Sequence, residues 1–272
     1  VIWLAVGALA ALTVLWWAAV GWWHHHRYAA YLRFKGAGAP ASGWSVLWAE
    51  LVDTLRLSGF FARSLGRDGW LEPELPAGRP VLCVHGYTQN GTNFWGIRQR
   101  LLALGRPSRA VSMVPGVARM NWYAARLERT LEEVVEQREG SVDVICHSMG
   151  GVVLRMVLAR RPDLARRVAA AVTLGSPHAG TAAARGIPWL PEVQALKRRS
   201  VLLAELPPLT ELVQRVVTVA GTLDTVVYPL DSALVDGAEQ VVLPVGHAGL
   251  LTAPAAVEVV VRAVEGGVPA PR

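Results

Sequence analysis

The first 23 residues, VIWLAVGALAALTVLWWAAVGWW, carry no charge. As a helix rising ~1.5 Å per residue they reach about 34 Å, enough for a ~30 Å hydrocarbon core, so the run predicts a transmembrane helix over 1–23. Trp3 stands near one end and Trp16, Trp17, Trp22 and Trp23 near the other. Indole suits the membrane–water boundary because it joins an apolar body to one polar donor. His24, His25, His26, Arg27, Arg33 and Lys35 follow and suit lipid head groups. A cleaved signal peptide fits less well, because the apolar run exceeds the usual ~7–15 residues and no basic segment precedes it. GAGAPASG at 36–43 breaks the pattern, after which Trp44, Leu47, Trp48, Leu51, Val52 and Leu55 recur at helical spacing. Residues 24–78 therefore read as a juxtamembrane linker and an amphipathic helix, lying on the membrane or over the globular core.

From residue 79 the pattern changes to short apolar runs alternating with helical ones. Strands are expected at 80–84, 110–114, 142–146, 168–174, 216–220 and 240–244. Helices are expected at 94–104, 121–138, 150–160 and 253–264. The helix at 121–138 is the clearest, with Leu127, Leu131, Val134 and Val135 on one face and charges elsewhere. Apolar strands alternating with helices predict a mostly parallel sheet covered on both faces, an α/β fold over 79–272. Residues 181–212 fit the alternation poorly and read as a cap or lid inserted over one edge.

Composition refines this picture. The chain has 272 residues, 52% hydrophobic and 18% charged, which excludes a disordered chain and allows a full core. Only two cysteines, Cys83 and Cys146, exclude a disulfide scaffold and a Cys-rich zinc module; both read as buried thiols. The net charge of +6 invites a nucleic-acid reading. However, half of that excess comes from Arg27, Arg33 and Lys35, beside the hydrophobic N-terminus, and the remaining bases are dispersed among acids. No nucleic-acid partner is expected. The bases after the first helix favour a cytoplasmic side for the rest of the chain.

Candidate chemistry gathers where the strands end. Cys146-His147-Ser148-Met149-Gly150-Gly151 joins a strand to a helix, the place for a nucleophile elbow, with Cys146 standing where Gly-x-Ser-x-Gly has its first glycine. A helix N-terminus there offers backbone N–H groups to an oxyanion. Val84-His85-Gly86-Tyr87 ends the first strand of the domain, so the Tyr87 and Met149 amides are the expected oxyanion donors, and His85 is expected to hold its loop. Asp224 and His247 each follow a strand C-terminus, giving the order Ser148…Asp224…His247 of α/β-hydrolases. Asp231 and Asp236 are rival acids farther from a strand. Among the histidines, His178 precedes every plausible acid, and His147 adjoins the serine.

VHGY (84–87), CHSMGG (146–151), GSPHAGT (175–181), AGTLDTVVYPLDS (220–232) and GHAGLL (246–251) together resemble the bacterial lipase/esterase branch of the α/β-hydrolase superfamily, in particular members with N-terminal membrane helices. The resemblance spans roughly 80–265. It implies an α/β-hydrolase fold and a membrane-anchored serine carboxylester hydrolase acting on acyl esters, lipids among them. Ser148 would be the nucleophile, His247 the base and Asp224 its orienting carboxylate, with no cofactor and no catalytic metal. Some relatives hold a structural calcium near the histidine loop, for which Asp231 and Asp236 are too few. The expected location is a bacterial cell membrane. An acyltransferase with the same triad, or a hydrolase fold kept only for interaction, are the alternatives.

Overall fold

The computed structural model describes residues 69–266, apart from 75, 114–117 and 139, together with Trp48 and Val52. The expected transmembrane helix over 1–23, and all of the 24–78 segment before residue 69 except those two residues, lie outside them. Among the described residues no helix is long and apolar enough to cross a membrane.

Seven strands form one sheet in the order β1-β3-β2-β4-β5-β6-β7. They are β1 (Trp70–Leu71), β2 (Val81–Val84), β3 (Ser108–Val111), β4 (Val142–His147), β5 (Val168–Leu174), β6 (Arg215–Gly221) and β7 (Glu239–Leu243). All neighbours are parallel except β1 and β3, which run antiparallel. The period-2 alternation of a strand explains the layering. In β2, Leu82 and Val84 face one core while Val81 and Cys83 face the other. The first core is covered by α2 (Met120–Arg138) and α3 (Met149–Arg160). The second is covered by α1 (Trp95–Ala103) and, at the C-terminus, by a helical turn at Gly249–Thr252 and the helix Pro254–Val264.

Two expectations are corrected here. The strand expected at 110–114 is β3, set two residues earlier. Its first residues are polar, and Ser108 is buried because the Arg98 guanidinium bonds to its hydroxyl and carbonyl. The antiparallel β1 was not expected, since two residues are too few to carry a period.

Cys83 and Cys146 are free and fully buried on adjacent strands. Register pairs Cys83 with Ile145 and Val84 with Cys146, so the two thiols lie on opposite faces. Burial pushes the Cys83 thiol up to about 12 and Cys146 well above its ordinary value, keeping both protonated.

Residues 181–212 form short helical pieces: a 3-10 turn Ala182–Gly186, then α5 (Pro191–Ala195), α6 (Val201–Glu205) and α7 (Leu209–Leu212), with Pro162–Ala165 earlier in the chain as α4. They are packed on the domain, not detached from it. Leu196, Leu203 and Leu209 are buried in the first core, while Trp189 and Val201 are exposed on the outer face. Arg155 of α3 fastens the end of this cap. Its guanidinium donates to the carbonyls of Leu206, Pro207 and His178 at 2.8, 3.0 and 2.9 Å.

The opposite, N-terminal edge of the sheet is closed by ionic contacts. Asp143 of β4 is fully buried and meets Arg79 at 3.2 Å and Arg106 at 2.6 Å, and Arg106 also meets Glu265.

Candidate active site

Ser148 lies between β4 and α3 with φ +55° and ψ −129°, a conformation that non-glycine residues adopt at a cost of about 1–3 kcal/mol. Its amide donates to the Leu174 carbonyl at 2.9 Å, fixing the elbow to β5. The turn works only with small neighbours. A Cβ on Gly150 would lie 2.5 Å from the Val84 carbonyl oxygen, and one on Gly86 would lie 2.7 Å from the Ser148 Cβ. The loop after β2 is thereby pressed against the serine. Met149 opens α3, where an amide has no intrahelical acceptor and the helix dipole favours negative charge.

His85 holds that loop, as expected. Its Nδ1–H donates to the Gly86 carbonyl at 2.8 Å, and its Nε2 accepts the Met113 amide at 2.9 Å.

The candidate acid and base meet. Asp224 follows β6, and its Oδ1 accepts the Val226 and Val227 amides, each at 2.8 Å. Its Oδ2 accepts from His247 Nδ1 at 2.7 Å. With the proton on Nδ1, the lone pair of the neutral imidazole is on Nε2, the tautomer a general base needs. Asp224 and His247 are buried, whereas Asp231 and Asp236 are exposed. The loops are stapled together, since Thr222 and Leu223 amides donate to the Leu243 and Val245 carbonyls.

Two further residues, Gln89 and His147, escaped the sequence reading as contributors here. Gln89 Oε1 accepts the Gly86 amide at 2.9 Å and lies 2.9 Å from His147 Nδ1. His147 Nε2 lies 3.1 Å from the His247 carbonyl, and the two imidazoles are 4.5 Å apart between centroids. Burial and the neighbouring His247 hold His147 well below the ordinary histidine value, so its ring is neutral. A neutral ring has one N–H for two acceptors, so the proton serves one loop at a time. Only the spatial meeting of three loops reveals this, and nothing in a single-sequence pattern marks it.

His178 is buried and structural, with Nε2 3.0 Å from Thr173 Oγ1. Among the described residues no group of three or more His, Cys, Asp or Glu side chains could hold a metal ion.

Residues 80–221 match the family model for palmitoyl protein thioesterase, more than half of the chain. The chain belongs to the palmitoyl protein thioesterase family. The stretch shared with that family contains the loop after β2 and Ser148 and ends just before Asp224. Solved structures share the fold of this thioesterase-family chain. The mature lipase BlEst2 of Bacillus licheniformis aligns with a TM-score of 0.56 at 17% identity, over 67% of this chain and 92% of that one. The metagenomic carboxyl esterase MGS0156 aligns with 0.59 at 18% identity, over 71% and 78%. Aspergillus fumigatus lipase B gives 0.59 at 16% identity over 74% of this chain, which spans 56% of the fungal enzyme. The expected α/β-hydrolase fold is thus observed.

Proposed function

We propose that the protein is a serine hydrolase that cleaves acyl thioesters or esters, lipid acyl groups among them, through Ser148, His247 and Asp224. The observation that carries this reading is the 2.7 Å Asp224–His247 contact at the sheet edge where Ser148 occupies a strained elbow. Palmitoyl thioesterase membership favours a thioester, and the lipase and esterase neighbours favour the same acyl chemistry.

In this mechanism Ser148 Oγ attacks the acyl carbonyl while His247 Nε2 takes its proton. The Tyr87 and Met149 amides receive the oxyanion; losing one such donor costs about 10²–10³ in rate. The intermediate collapses, and the leaving thiol or alcohol departs with the proton from His247. Water, deprotonated by His247, then attacks the acyl-Ser148 ester and frees the acid. Asp224 orients the ring and stabilises the imidazolium. Residues 1–23 would anchor this chemistry to a bacterial cell membrane, with the catalytic domain on the cytoplasmic side.

A fluorophosphonate probe tests the reading. Covalent labelling and hydrolysis of a palmitoyl thioester are expected for the wild type, with both abolished in Ser148→Ala. Labelling that persists in that variant removes Ser148 from the mechanism.

A further inference from the structure

Several arginines of this domain meet acids. Arg79 and Arg106 meet Asp143, Arg161 meets Glu128, Glu132 and Asp163, and Arg215 meets Glu239. Three in the cap do not. Arg185 lies in the 3-10 turn after Thr181, and Arg198 and Arg199 lie in the turn before α6. Among the described residues none of the three guanidinium groups has an ion-pair or hydrogen-bond partner. Together with Ala182 they line an open cleft of about 360 Å³.

This arrangement is held in place. The Thr181 amide donates to the Leu196 carbonyl at 2.8 Å, and Thr181 pairs with Lys197 in an isolated bridge, so the two walls of the cleft are joined. Thr181 Oγ1 donates to the Val226 carbonyl at 2.7 Å, and the Ala182 amide donates to the Tyr228 carbonyl at 3.0 Å. The cleft is therefore tied to the loop whose Val226 and Val227 amides hold Asp224. Arg199 has φ +60°, and the other non-glycine residues with positive φ among those described, Thr88 and Ser148, lie in the oxyanion loop and at the nucleophile. Such conformations cluster at functional sites.

Three guanidinium groups around one cleft repel one another, and an anion between them reverses the sign of that energy. The single acid between residues 181 and 201 is Glu192, whose charge acts on Tyr87. Guanidinium forks match the oxygens of a phosphate in paired hydrogen bonds, and three cations suit a phosphate's spread of oxygens and charge better than one carboxylate.

We propose that this cleft is a phosphate subsite, binding a phosphate on the non-acyl part of the substrate while the acyl carbonyl lies at Ser148. The proposal rests on the hydrolase reading for the second half only; phosphate binding stands independently of turnover.

The test has a binding arm and a kinetic arm. Inorganic phosphate is titrated calorimetrically into full-length Ser148→Ala protein and into the same protein carrying Arg198→Ala and Arg199→Ala. Saturable binding is expected in the first and at least tenfold weaker binding in the second, with circular dichroism and melting temperature confirming that both are folded. No binding in the first, or equal binding in both, overturns the proposal whatever the enzyme hydrolyses.

The kinetic arm uses matched substrates with Ser148 intact. A palmitoyl thioester of coenzyme A is compared with the N-acetylcysteamine thioester, which lacks phosphate. A lysophosphatidylglycerol is compared with a monoacylglycerol. A phosphate preference in kcat/KM is expected in at least one pair, falling about tenfold in the arginine double variant and partly restored by Arg198→Lys/Arg199→Lys. Preference in the first pair identifies a soluble phosphate-bearing thioester, and in the second a lipid head group. A preference near one in both pairs, or one that survives in the double variant, overturns the second half of the proposal, that the cleft holds a phosphate of the substrate.

Discussion

Gln89 and His147 join the loops that carry Tyr87, Ser148 and His247, and that linkage has a kinetic signature. His147→Phe keeps the ring volume and removes both nitrogens. The His247 carbonyl and Gln89 Oε1 then lose their shared partner, and small displacements of catalytic groups cost about tenfold to a hundredfold in rate. We expect kcat to fall by that factor with KM little changed, measured by steady-state kinetics, together with a shifted pH profile. A purely structural role would lower the melting temperature and leave kcat of the folded fraction intact. At this scale Ser148, Asp224 and His247 were legible because each follows a strand end in chain order. Gln89 and His147 were not, because their contacts span 58 and 100 residues and depend on how loops meet.

The central strands and the long helices were visible as periods of 2 and 3.6, and their observed ends fall within two residues of expectation. β3 was misplaced because the Arg98–Ser108 contact hides polar residues inside a strand. The cap was visible as a break in pattern, but its packing was not, since Leu196, Leu203 and Leu209 lie on separate short pieces without a common period. Arg155 is the element that closes it. Burial lowers its basicity from the ordinary arginine value, and it has backbone carbonyls in place of a carboxylate. Replacing Arg155 by Met leaves three carbonyls without that donor. A loss of roughly 3 kcal/mol is expected from the buried groups left unpaired, seen as a lower denaturation midpoint, with new proteolytic cleavage within residues 190–207.

Across the whole molecule the two edges of the sheet divide the work. The C-terminal edge gathers the candidate site, and the N-terminal edge is locked by Asp143, Arg106 and Glu265. Histidines make the assembly sensitive to acid. Burial, and then Arg155, lower His178 to about 3, and burial also holds His147 well below its ordinary value. Unfolding releases both to the usual range near 6.5, so the unfolded chain takes up protons first. Stability is then fully present above that range and is lost as pH falls towards the folded values, by about 1 kcal/mol per pH unit for each histidine. Urea denaturation at pH 7, 6 and 5 should show this decline, with a shallower one in His178→Asn; an unchanged slope in that variant would exclude His178 as a source.

The placement of Cys83 and Cys146 reaches beyond packing. With the sheet itself between them they cannot bridge, and with both sealed from solvent neither can capture glutathione or a thiol of another chain while the domain stays folded. The fold neither gains a crosslink from an oxidant nor loses one to a reductant, so its integrity is the same in compartments of opposite redox poise.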